Sequence, residues 1–170
     1  MKHFSLLLFL FTTASLFGQD SEPNLIPAPF SVWSQRMDMS RFAGKKYRLT
    51  VAIRAEPIGP DAFAVAFIRN ESAERKVRNW TWMDNMFDRP VRDSSWEKYT
   101  LEGIFDKKAP FLGFGCLGFN NGNFYFDDFQ LSVEISNGKW EAIHIENGHF
   151  EMESLDGWEQ TSQGVPARVL

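Results

Sequence analysis

The chain carries a single cysteine, Cys116, among its 170 residues. It can close no internal disulfide, so packing and hydrogen bonding must supply its stability. Basic residues are few as well. Eighteen Lys and Arg against 22 Asp and Glu leave a net charge of −4, which gives no footprint for nucleic acid. Histidine is nearly absent: beyond His3 there are only His144 and His149. A zinc site would need further nitrogen or sulfur ligands. Cys116 does not help, because it lies in the apolar run FLGFGCLGF and reads as a small buried residue, not a reactive thiol. The chain has no Gly-x-Ser-x-Gly elbow and no phosphate loop. Two unplaced carboxylates would not by themselves make a glycosidase pair. No window shows helical period with caps at both ends. These absences leave no self-contained catalytic set.

One long apolar run stands at the start. Met1-Lys2-His3 is followed by FSLLLFLF and then TTASLFGQ, the layout of a charged start, a short apolar stretch and small residues near a cleavage point. The run is shorter than the roughly 20 apolar residues of a membrane span. Residues 1–19 are therefore read as a signal peptide cut near Gly18 or Gln19, and the protein as secreted or periplasmic. No cysteine stands there for a lipid anchor, and no later segment is apolar enough for a membrane span.

What is abundant is aromatic: 17 Phe and 6 Trp. Large flat side chains at this density suit the core of a sandwich. Gly, Pro, Asn and Asp punctuate the chain at short intervals, and the runs between them are rich in Phe, Val, Ile, Tyr and Trp, a pattern of many short strands. In KKYRLTVAIRA, Tyr47, Leu49, Val51 and Ile53 share one face and Lys46, Arg48, Thr50, Ala52 and Arg54 the other. AFAVAFIR is apolar on both faces and predicts a central strand. Trp96 to Phe105 alternates, with Trp96, Lys98, Thr100, Glu102 and Ile104 on one side. Phe111 to Phe119 is interrupted by glycines that predict curvature. Asn120-Asn121-Gly122-Asn123 predicts a hairpin turn into a strand from Phe124 to Ile135. Asn137-Gly138 marks a further turn, with one more strand over 140–145. The fold class expected is all-β, an antiparallel β-sandwich over 24–142. The stretch 143–170 reads as the start of a second, truncated module or as a flexible tail.

The order Lys45-Lys46-Tyr47-Arg48-Leu49, Trp96-Glu97-Lys98-Tyr99-Thr100 and Phe124-Tyr125-Phe126-Asp127-Asp128-Phe129-Gln130-Leu131 resembles galactose-binding-like jelly rolls, which include many carbohydrate-binding modules of secreted hydrolases. Met83-Asp84-Asn85-Met86-Phe87-Asp88-Arg89-Pro90 is similar to a domain that stands beside tail-specific (S41-type) peptidases and other hydrolases in secreted bacterial proteins. Asn147-Gly148-His149-Phe150-Glu151 with Gly157-Trp158 is similar to the start of a further copy. The resemblance implies a jelly roll and a non-catalytic accessory module whose partner is a glycan or an adjoining catalytic domain. It is specific for fold and weak for ligand, since one sandwich hosts many functions.

Two places are candidates for chemistry. Trp80 and Trp82 share a face if their stretch is extended, and with Asp84, Asp88 and Arg89 they would offer rings to stack on sugar faces and polar groups for hydroxyls. The competing reading is a structural corner, with Arg89 paired to an acid and Pro90 setting the turn. Asp127 shares parity with Tyr125, Phe129, Leu131 and Val133 and should point toward the core, where a carboxylate needs partners or a metal. The resemblance implies a candidate structural calcium there; the competing reading is a carboxylate bonded to backbone N–H or to an arginine, since one strand cannot supply six to eight oxygens. No other cofactor is expected. The alternative to a glycan binder is a structural interaction domain packed on a catalytic domain, an S41-type peptidase or an esterase, outside this chain.

Overall fold

The computed structural model describes residues 29–73, 80–151 and 155–163, apart from the side chains of 80–83, 162 and 163. The predicted signal peptide lies outside the described residues. The strands are β1 (Phe30–Asp38), β2 (Lys46–Pro57), β3 (Phe63–Glu71), β4 (Trp80–Asp84), β5 (Glu97–Ile104), β6 (Phe111–Phe119), β7 (Gly122–Ser136), β8 (Lys139–Ile143) and β9 (Glu159–Gln163), with a 3-10 turn at Ser40–Phe42. They form a five-stranded sheet in the order β4-β3-β6-β1-β9 and a four-stranded sheet in the order β5-β2-β7-β8. Every pairing is antiparallel. The chain is an antiparallel β-sandwich of jelly-roll type. Among the described residues no helix is long and apolar enough to cross a membrane.

The alternation in β2 decides which way that strand faces. Tyr47, Leu49, Val51, Ile53 and Ala55 are fully buried between the sheets, with Leu101 of β5 and Leu131 and Val133 of β7 beside them. From the other sheet come Ile68, Leu112, Phe114 and Cys116. Burial pushes the Cys116 thiol far above its ordinary range, which leaves it inert. The strand that is apolar on both faces, β3, sits inside its sheet between β4 and β6.

Two expectations change. The Asn120-Asn121 turn is not a hairpin. Strand β6 has both edges taken, by β1 and β3, so β7 cannot lie beside it, and the turn carries the chain across to the other sheet. Asn120 supplies the left-handed conformation (φ 59°) that this residue tolerates. The stretch 143–163 is not a separate module or a loose tail. Strand β9 hydrogen-bonds along β1 from Phe30↔Gln163 to Ser34↔Glu159, and Trp158 lies in the core against Phe114 and Phe129 at ring-centroid distances of 6.1 and 4.9 Å. A large ring with apolar neighbours on three sides is worth more buried than exposed.

Candidate functional site

The outer face of the four-stranded sheet is set by the residues alternating with the core positions: Ala52 and Arg54 on β2, Lys98 on β5, Tyr125 and Asp127 on β7. Asp93 opens the entry to β5 by accepting the Ser95 backbone N–H at 2.8 Å. The next residue, Trp96, is 48% exposed, and its ring lies 6.3 Å from that of Tyr125. The Arg54 guanidinium stands over the Tyr125 ring at 4.9 Å and pairs with Glu56. Glu56 also accepts from Asn123 and from the Tyr125 hydroxyl, both at 3.4 Å. The Arg54 hydrogen bond holds the Glu56 carboxyl below the usual range.

Beside this aromatic pair, β7 carries one extra residue relative to β2: the register shifts between Thr50↔Gln130 and Ala52↔Asp127. This is a β-bulge, and Asp128 takes its left-handed conformation (φ 54°). The bulge reverses parity. Phe129, Leu131 and Val133 are buried, while Tyr125 and Asp127 belong to the outer face. Asp127 therefore does not point toward the core; its Oδ1 accepts the Asp128 N–H at 2.6 Å. Among the described residues no group of three or more His, Cys, Asp and Glu side chains is placed to hold a metal ion.

Asp128 accepts from Lys98 Nζ of β5 and from Gln130 Nε2 at 2.6 Å, and His149 Nδ1 lies 3.0 Å from its Oδ1. The segment bearing His149 is held to β7 by the Phe129 N–H, which donates to the Gly148 carbonyl at 2.8 Å, and by Phe150, which packs on Phe129. The result is an open groove of about 600 Å³ lined by Ala52, Trp96, Glu97, Lys98, Asp127, Asp128, His149 and Glu151.

The Lys98 hydrogen bond, ahead of the other contributions, holds the Asp128 carboxyl below its ordinary value. A group lowered on folding stabilises above the unfolded carboxylate pKa, about 3.9, and loses that contribution as pH falls through the lower folded value. Asp128→Asn should thus lower the thermal midpoint at neutral pH, and the two midpoints should converge on acidification below pH 4 or so. A constant gap between the two proteins down to strong acid would contradict this assignment.

The residues singled out from sequence lie elsewhere. Trp80 and Trp82 belong to β4 at the edge of the five-stranded sheet, registered on Glu71 and Arg69; their side chains are outside the described residues. Arg89 pairs with Asp84 and with Asp88, the latter at 2.8 Å, and Asp84 also accepts the N–H of buried Met86 at 3.0 Å. Asp84, Asp88 and Arg89 thus come together as a closed corner in the β4–β5 connection, apart from the groove. Sequence reasoning passed over Trp96, Tyr125 and Lys98, and weighed His149 only as a zinc ligand. The available signal was Trp96 itself, a large ring on the polar side of an alternating strand. Nothing in the sequence announces the bulge that turns Tyr125 outward.

No protein-family model matches the chain, and no curated protein matches it either. Among solved structures, it is similar to the Clostridium thermocellum N-terminal endo-1,4-β-D-xylanase 10B CBM22-1–GH10 modules complexed with xylohexaose, at 15% identity and a TM-score of 0.43, over 64% of this chain and 20% of that one. It is also similar to a CBM4 structure, at 16% identity and a TM-score of 0.42, over 59% of each chain. The match thus spans about a fifth of the first of these and just under three fifths of the second. At such overlap neither comparison decides anything about fold or ligand. The fold rests on the strand pairing itself.

Proposed function

We propose that the chain is a non-catalytic binding module that takes a glycan along the groove on the outer face of the four-stranded sheet. The observation that carries this is Trp96: a ring half open to solvent, beside Tyr125, in a groove lined otherwise by Ala52 and by the polar or charged residues Glu97, Lys98, Asp127, Asp128, His149 and Glu151. An aromatic face packs on the C–H face of a sugar, and convergent polar groups fix its hydroxyls. Chemistry on the bound chain has no support. Asp128 is held low by Lys98, the wrong direction for a proton donor.

Isothermal titration against a broad panel of soluble polysaccharides tests the reading. At least one should bind, and Trp96→Ala should weaken it about ten-fold or more, as removal of a central aromatic anchor does. The thermal midpoint should move little, because about half of the residue is already exposed at 48%. Failure to bind across the panel, or affinity indifferent to Trp96→Ala, would remove the proposal. The amino-terminal segment fits an export signal, so the proposed setting is the periplasm or the cell exterior, beside a hydrolase carried elsewhere.

The second reading, a domain packed on a catalytic neighbour, has one observation in its favour. On the outer face of the five-stranded sheet Phe119 meets Phe63, Phe87 and Phe30 at 4.8, 5.5 and 6.3 Å, and Phe87 is 45% exposed. An open aromatic cluster of this kind favours an interface.

A further inference from the structure

The charge of the groove goes beyond what a neutral sugar requires. Its walls bring four carboxylates, Glu97, Asp127, Asp128 and Glu151, against one lysine, Lys98, and one histidine, His149. Both of those bases are spent on the same acid, Asp128. Asp127 is occupied by a backbone N–H and Glu97 by the Tyr99 hydroxyl at 3.4 Å, neither of them a charge. Among the described residues no cation pairs with Glu97, Asp127 or Glu151. Asp127 and Glu151 line the same open groove as the Trp96 ring, a concave space where their fields add. Resting on the glycan reading above, we infer that the groove selects a cationic glycan, one whose sugars carry free amines, over neutral and anionic chains.

The chemistry is direct. A protonated amine on the sugar ring seated over Trp96 gains both the ring face and the carboxylates beside it. A uronate in the same seat meets like charge, which rejects it. Each exposed pairing is worth little alone, so the selectivity comes from several pairings acting on adjoining sugars.

The experiment compares three soluble oligosaccharides of equal length at mildly acidic pH and low salt: a fully deacetylated glucosamine oligomer, its N-acetylated counterpart and a uronate oligomer. The glucosamine oligomer should bind roughly ten-fold tighter than the acetylated one, with the uronate weakest, as a few partly exposed pairings predict. The preference should fall toward parity at high salt. It should do so too in the double variant Asp127→Asn with Glu151→Gln, which keeps the Oδ1 acceptor at 127 and so the bulge. Trp96→Ala should weaken every oligomer that binds. If neutral chains bind through Trp96 as tightly as the glucosamine oligomer or tighter, the charge inference fails and the glycan reading stands. If the glucosamine preference survives in the double variant, the named carboxylates are not its source and the inference fails likewise. If no glycan binds, the reading beneath it fails and takes the inference with it.

Discussion

Gly115→Ala is expected to leave little or no folded protein. Gly115 lies at the middle of β6, paired with Ser34 of β1 on one side and Phe67 of β3 on the other. A Cβ there would sit 1.9 Å from the Trp33 carbonyl oxygen and 2.8 Å from the Ser34 Cα. Both obstacles are backbone, so no side chain can swing away. Relief would require β1 to slide or lift from β6, which breaks the ladder that holds the five-stranded sheet. A strain of that kind belongs with the exceptional substitutions that cost more than about 4 kcal/mol, a large part of the 5–15 kcal/mol of a typical domain. Gly59 provides the contrast. It has nothing within 4 Å of a Cβ but a φ of +99°, so Gly59→Ala should cost about 1–2 kcal/mol through backbone strain alone. Urea denaturation of the two variants separates the mechanisms. Gly115→Ala with near wild-type stability would mean that β1 does not approach β6 in this register.

The second large effect is at Trp158. Its ring packs on Phe114, Phe129 and Phe150, the last two both at 4.9 Å, and its Nε1 donates to the Asn147 carbonyl at 3.2 Å. Trp158→Ala removes that buried volume and orphans the carbonyl, a loss of about 3–5 kcal/mol by the usual cost of emptying an aromatic site. Chain shortened to end at Ile143 should not reach the native state at all, because β1 loses its outer neighbour and the core loses its plug. Circular dichroism and the denaturation midpoint check both. Were the terminal stretch an independent module, Trp158→Ala would leave the midpoint of the rest unchanged and the shortened chain would fold.

What could be read from the residues was whatever depends on a period of two. Tyr47, Leu49, Val51 and Ile53 fall inside, and β3 is enclosed. Asp127 shows where that reading stops. One inserted residue at Asp128 leaves the letters alternating while the faces exchange, so a carboxylate expected inside lies outside, and Tyr125 goes with it. Pairing between distant segments was equally hidden. Gly157-Trp158 looks like the opening of something new, because the partner that makes it an ending, β1, is more than a hundred residues earlier. The groove inherits both blind spots, since it needs the bulge for its floor and the returning chain for one wall.

That return has a cost in time. The earliest described strand of the sandwich waits for the latest, and most neighbours in space are far apart along the chain. Loops that wide close slowly. Until Gln163 is available the flank of β1 offers unmet amides and carbonyls to any passing strand. Nascent chains of this protein should therefore be unusually dependent on holding factors before they are complete, and most prone to cluster at that stage.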